Sequence, residues 1–242
     1  LLLLQQALFA QQTRQQRIDS LAKLVATATH DTIKIKAWNR MSLELSRSNR
    51  ADTALQMLNQ SLELSQKHNF KRGEADATYF MGQAYYNKGK ANEAVGYYEK
   101  AIKLYQQLPN RKTEESEAYY GIAMVYQRSD YEKSIQYAKH ALTVAQQTNI
   151  EGLKGKQAYL VAVLAMRKAD YDQAEVYTNM AIGYYTKSGY ELGIADGYVA
   201  SSRIHKYKGN YQQALKDNYA ALRSYDKINW NPGRYNVYTG LG

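Results

Sequence analysis

Between residues 75 and 106 the apolar and small side chains recur at intervals of three and four. Thr78, Met81, Gly82 and Tyr85 form one set, and Ala94, Val95, Tyr98, Ala101, Ile102 and Tyr105 a second. That spacing places each set on one face of a helix, and Asn87-Lys88-Gly89-Lys90 between them supplies turn residues. The segment is therefore predicted as two antiparallel helices. Neither stripe is wide enough to be stable alone, so each must be buried against its partner and against further copies of the same unit.

Those copies are present at a period of forty. Ala54, Ala94, Ser134, Ala174 and Ala214 form one column, and Ser61, Ala101, Ala141, Ala181 and Ala221 another. Each member of the second column is followed by a large aliphatic, Leu62, Ile102, Leu142, Ile182 and Leu222. Small residues seven apart on one stripe let a second helix approach closely. Gly73, Gly193 and Gly233 share a third column, broken by Thr113 and Leu153 with Gly152 and Gly155 nearby, and are expected where one unit ends and the next begins. The expected fold is all-α, a right-handed α-solenoid of antiparallel helix pairs.

In chain order, a cap helix is predicted over 18–30, with Asp19 or Ser20 as N-cap and Leu21, Leu24 and Val25 as its apolar face. A first pair starts at Asp31, carrying Trp38, Met41 and Leu45 and then Ala54 and Leu58. Further pairs follow at 75–110, 115–150, 155–190 and 195–229. In the third unit Gly121 stands one place before the column of Gly82. Either the turn Gln127-Arg128-Ser129-Asp130 is one residue longer, or Ile122 takes the small-residue place. Tyr235 to Gly242 matches Ala75 to Gly82, which predicts the start of a sixth unit over 235–242 beyond a solenoid spanning 18–234.

Composition adds three points. The two prolines, Pro109 and Pro232, are expected between units, where they break no helix. The absence of cysteine excludes disulfides and thiolate metal sites. With 32 basic and 22 acidic residues the net charge is +10, which is either a solvated basic surface or an attraction for acidic partners. At the N-terminus, Leu1-Leu2-Leu3-Leu4 through Ala10 is apolar and then gives way to polar, charged residues up to Arg17. Residues 1–17 resemble the end of a signal peptide and a polar leader. They imply an extracytoplasmic, periplasmic location, with the cytoplasm as the alternative.

Trp38-x2-Met41, Met81-Gly82-x2-Tyr85 and Ala94-x3-Tyr98 are similar to the tetratricopeptide repeat signature, although the usual period is 34 and a proline usually closes the unit. Extended repeats behind a leader such as RIDSLAKLVATATHDTIKIKAWNRMS resemble the sensor regions of bacterial histidine kinases and related regulators. The resemblance implies a scaffold that binds a protein or peptide, in a longer signalling protein.

No catalytic site, cofactor or metal is expected. His30, His68, His140 and His205 are scattered without metal-ligand spacing, and no phosphate loop or nucleophile motif occurs. His205 falls on the packed side of its helix and reads as structural. Of 24 tyrosines, Tyr85, Tyr98, Tyr105, Tyr137 and Tyr177 read as core. The resemblance assigns a concave groove to other columns of the leading helices: Lys36, Asn39, Arg47, Tyr79, Gln83, Tyr86, Asn87, Tyr119, Tyr126, Gln127, Tyr159, Arg167, Arg203, Lys206 and Tyr207. Aromatic, amide and basic side chains there suit a peptide carrying acidic groups. The Lys-x3-Asn and Lys-x3-Arg carboxylate clamp of some relatives is not matched, since Lys36 is followed at that spacing by Arg40. The other readings are a basic helical-repeat protein that binds nucleic acid, and a structural spacer or dimerisation element.

Overall fold

A computed structural model of the chain describes residues 13–241, all of whose regular elements are α-helices. They are α1 (Arg14–Thr27), α2 (Asp31–Ser46), α3 (Ala51–Lys67), α4 (Lys71–Asn87), α5 (Ala91–Gln106), α6 (Lys112–Tyr126), α7 (Tyr131–Ala145), α8 (Glu151–Arg167), α9 (Tyr171–Ser188), α10 (Glu191–Tyr207), α11 (Tyr211–Lys227) and α12 (Asn231–Leu241). The expected all-α helical repeat is what forms. The leucine-rich start lies outside the described residues. No described helix is long and apolar enough to cross a membrane.

The chain divides at the end of α6 into two units, residues 1–125 and 126–242. In the first, successive helices from α1 to α5 pack in order and α2 also touches α4; in the second, α7 to α12 pack in order and α8 touches α10. The small-residue columns make this possible. Nine of their ten members are completely buried, and Ala214 is 6% exposed. In the first unit Leu58, Ala77, Met81 and Ala84 form one core cluster with Phe80 and Tyr97 against it. In the second, Ala195, Ala221, Leu222, Tyr225 and Val237 form another.

The helix ends follow the same forty-residue period. Asn49, Gly89, Ala169 and Gly209 adopt left-handed φ angles of 59°, 72°, 62° and 77° after the leading helices, and Asn69, Gly189 and Asn229 do so after trailing ones. Gly and Asn reach that region most readily, so Ala169 is the strained member. Asp130, Asp170 and Asn210 cap α7, α9 and α11 by accepting from the N–H groups of Lys133, Gln173 and Gln213 at 3.0, 3.1 and 3.3 Å, satisfying donors the helix leaves free. Lysines just past the leading helices reach back 36 residues to an acid on the trailing helix before: Lys88 to Asp52, Lys168 to Glu132, Lys208 to Asp172.

Several boundaries differ from the sequence reading. The cap helix starts at Arg14, not residue 18, because Thr13 and Gln16 form a reciprocal capping box. Asp19 and Ser20 lie inside it, Ile18 joins Leu21 in the core, and Leu24 is 43% exposed. The leading helices begin at 71, 112, 151 and 191, so the glycine column stands in their first turn and not at a junction. A Cβ on Gly73 would lie 2.5 Å from both Phe70 and Ser65, and one on Gly193 or Gly233 would strike Tyr190 and Tyr185, or Trp230 and Tyr225. These glycines let the first turn seat an aromatic three residues upstream. Pro232 likewise stands in the first turn of α12, where its missing N–H costs nothing. In the third repeat both alternatives occur together. The turn 127–130 has four residues where 88–90 has three, and Ile122 is fully buried in the column of Gly82.

Candidate functional site

Each unit carries a hollow lined by residues that the sequence assigned to the groove. The larger, of about 1000 Å³, lies in the second unit between the C-terminal ends of α8 and α10, the N-terminal halves of α9 and α11, and α12. Arg167, Arg203, Lys206 and Tyr207, all assigned to the groove by sequence, line it with Tyr171, Tyr211, Leu215 and Val237. The rings of Tyr171 and Tyr207 stack with centroids 5.1 Å apart and an interplanar angle of 13°. No carboxylate is among the lining residues. Arg167, Arg203 and Lys206 are exposed and make no ion pair among the described residues. The hollow therefore presents three uncompensated cations beside an aromatic stack.

Its chemistry contrasts with the buried charge next to it. His205, on the same helix, has Nδ1 2.6 Å from Asp217 Oδ2 and Nε2 3.3 Å from Glu175 Oε1. Ser201 Oγ also donates to Asp217 Oδ2, at 2.7 Å. The serine hydroxyl is thus committed to the carboxylate, and the histidine joins α9, α10 and α11, the structural role its position implied. Lys208 Nζ completes the network on Glu175 and Asp172, and those bonds hold both carboxylates below their ordinary range.

The smaller hollow, of about 580 Å³, lies in the first unit and is lined by Lys36, Asn39 and Tyr79 from the sequence-assigned set, together with Arg40, Arg72, Asp76, Glu114 and Glu117. Charges of both signs meet here, and Arg72 lies 3.6 Å from Asp76. Asn39 is only 2% exposed and its Oδ1 accepts from Ser61 Oγ at 2.7 Å, linking α2 to α3. Tyr79 packs its ring against Phe80, Tyr98 and Tyr105 with centroids 5.2, 5.7 and 6.5 Å away, and burial raises its hydroxyl well above the ordinary tyrosine value. Both belong largely to the packing.

The other assigned residues fall outside these hollows. Arg47 and Tyr86 are exposed, Gln83 is half-buried with Nε2 3.5 Å from Tyr79 Oη, and Asn87 donates to Ser46 Oγ at 3.1 Å. Tyr119 and Tyr159 are half-buried, and burial raises both hydroxyls. In the second unit Tyr126 stacks on Tyr137 at 5.8 Å beneath the Lys133 amine, with half-buried Gln127 beside it in sequence. Of the tyrosines read as core, Tyr98 and Tyr105 are 2% exposed, while Tyr85, Tyr137 and Tyr177 are half-buried at repeat edges. Tyr171 and Tyr211 were missed as lining residues because they stand on trailing helices. Their signal is the aromatic at the first position of α7, α9 and α11.

Comparison with known proteins agrees with this architecture. Residues 74–147 match the tetratricopeptide repeat family. The match covers the helices from α4 to α7. Among solved structures, BtubC (BKLC) from P. vanneervenii superposes with a TM-score of 0.76 at 17% identity, covering 90% of this chain and 93% of that one. The apo form of RapI gives 0.74 at 13% identity over 91% of this chain and 62% of its own. A signal transduction ATPase with a tetratricopeptide repeat sensor from Pyrococcus horikoshii gives 0.76 at 18% identity, with 91% of this chain covering 35% of that one. A Rap protein complexed with competence and sporulation factor is also similar, at 0.67 and 14%. These likenesses show a shared tetratricopeptide-repeat fold. No curated protein matches by sequence.

Proposed function

We propose that this repeat chain is a non-enzymatic binding region that holds an acidic segment of a peptide or protein, as the extracytoplasmic sensing or scaffolding part of a larger bacterial signalling protein. The observation that carries the reading is the cluster of exposed Arg167, Arg203 and Lys206, without an ion pair among the described residues, beside the stacked Tyr171 and Tyr207. Cations on rigid helix ends offer charge-assisted hydrogen bonds to a carboxylate, and the tyrosine faces cover apolar parts of the same ligand. The Rap structure solved with a bound factor supports a ligand role for such a fold. The leucine-rich segment before residue 13 supports export.

The test is binding of the chain to an array of acidic, aromatic-containing peptides, compared with a variant in which Arg167, Arg203 and Lys206 are all glutamine. Loss of capture by the variant, with an unchanged circular dichroism spectrum, is expected. Undiminished capture moves the site elsewhere. Single-stranded RNA bound more tightly than any peptide, with affinity falling steeply as salt rises, replaces the reading with nucleic-acid recognition. Export is tested separately, by whether residues 1–17 direct a fused reporter out of the cytoplasm.

A further inference from the structure

The smaller hollow, in the first unit, holds polar groups that the packing leaves unused. Lys36 and Arg40, one turn apart on α2, line it, are exposed and make no ion pair among the described residues. Asn39, between them in sequence, is 2% exposed. Its Oδ1 is taken by Ser61, but its Nδ2 is buried without a hydrogen-bond partner among the described residues. A buried amide N–H in that state weakens the fold until an acceptor reaches it. In the same hollow Leu24 and Ile33 remain 43% and 38% exposed, with Leu21 and Phe80 beside them in the lining. The acids on α4 and α6 are differently placed. Asp76 accepts from Tyr105 Oη at 3.0 Å with Arg72 3.6 Å away, and Glu114 is held by Arg111 at 2.7 Å. What the hollow offers uncompensated is therefore two cations and one amide donor next to an apolar wall.

We infer that this hollow is a second, separate ligand site, which takes a small monocarboxylic acid with an apolar body. The inference goes beyond the acidic-segment reading, which concerns the second unit. A carboxylate accepts charge-assisted bonds from the Arg40 guanidinium and the Lys36 ammonium, and it also supplies the acceptor that Asn39 Nδ2 lacks. Its two oxygens carry about four acceptor positions, enough for all three donors. The apolar body covers Leu24 and Ile33 and removes their exposed surface from water. Two observations set the size and charge of the ligand. A cavity of about 580 Å³ falls in the usual range for small molecules. Asp76, Glu114 and Glu117 line the same hollow, so a dianion, or an acidic peptide running from α2 across α4 to α6, meets a repulsion that a single carboxylate held on α2 lessens.

The probes are octanoate, octanamide, octyl phosphate and acetate, each titrated into the full chain below any micellar concentration. Binding is followed by calorimetry and by the side-chain amide signals of a proton–nitrogen correlation spectrum. Octanoate is expected to bind and to shift the Asn39 Nδ2 signals, which are identified by their loss in Asn39→Asp. Octanamide lacks the charge and acetate the apolar body, so each is expected to bind about tenfold or more weaker, and octyl phosphate no better than octanoate. Lys36→Gln with Arg40→Gln, both at exposed positions, is expected to weaken octanoate about tenfold or more with an unchanged circular dichroism spectrum. Arg167→Gln, Arg203→Gln and Lys206→Gln together are expected to leave octanoate binding as in the parent. No octanoate binding in the millimolar range, octanamide equal to octanoate, or undiminished binding by the Lys36 and Arg40 variant overturns the inference. Tighter binding of octyl phosphate reduces the site to a general anion patch, and tighter binding of a peptide with a free C-terminal leucine assigns it to a polypeptide end; either result also overturns it. If octanoate binds as described and no acidic peptide is captured, this site stands while the acidic-segment reading fails. If acidic peptides are captured through Arg167, Arg203 and Lys206 and octanoate is not, that reading stands and this site fails.

Discussion

Gly121 of α6 lies so close to the ring of Tyr98 that a Cβ built on it would stand 2.5 Å from Cζ. From α4, a Cβ on Gly82 would reach the same ring at 2.8 Å. The ring, 2% exposed, is held between two helix backbones, and the bulk of one tyrosine is accommodated by the absence of two side chains. Gly121→Ala gains about 1 kcal/mol of helix propensity but overpacks at a typical cost of about 1–3 kcal/mol, so a net fall in stability is expected. Tyr98→Leu is expected to relieve that penalty. A double-mutant cycle read by urea denaturation checks it, and additive effects contradict the sandwich.

Ala94 and Ala174 occupy the same column in the two units, and neither has exposed surface. Leucine at either place separates a helix pair and is expected to cost about 1–3 kcal/mol by overpacking. An unchanged thermal midpoint would remove the column from the packing interface.

The links between Tyr105 and Asp76, 3.0 Å, and between Tyr225 and Asp196, 2.6 Å, recur three repeats apart. Burial raises both carboxyl pKa values above the ordinary 3.8, partly offset by the tyrosine hydrogen bond. The native state therefore keeps a proton that the unfolded chain has released, and the resulting stability is present at acid pH and lost as pH rises through the folded value. Asp76→Asn with Asp196→Asn keeps the acceptor and removes the titration. This variant is expected to be at least as stable as the parent at neutral pH, with the difference shrinking toward about pH 4. Denaturation midpoints across that range test it, and parallel curves would contradict it.

Gln157 of α8 is completely buried, and neither side-chain amide atom has a hydrogen-bond partner among the described residues. A buried polar group in that condition costs about 1–3 kcal/mol. Gln157→Met keeps the shape and is expected to raise the thermal midpoint; a drop would mean that the amide is satisfied in solution.

The period, the pairing of helices and the packing columns were legible in the sequence because burial repeats every forty residues and small side chains mark close approach. Helix starts were less legible. A glycine in a first turn looks the same in sequence as one at a junction, and only Phe70, Tyr190 and Trp230 packed onto Gly73, Gly193 and Gly233 separate the two. The binding face was partly legible. Arg167, Arg203, Lys206 and Tyr207 converge beside Val199, whereas Asn39 and Tyr79, in the column of Val199, turn into the packing, because Ser61 draws the amide and Tyr98 and Tyr105 surround the ring. What opposes a column changes from repeat to repeat, and a single sequence does not show it.

The order in which helices touch also governs how the chain comes together. Within each unit the recorded partnerships join neighbours or next-but-one neighbours, so each closes a loop of a few tens of residues at modest entropic cost. A leading helix released from the ribosome finds its first partner in the trailing helix already made, and it waits only for the next to cover its remaining face. Apolar stripes are thus hidden nearly as fast as they are synthesised, leaving little sticky intermediate for chaperones to guard.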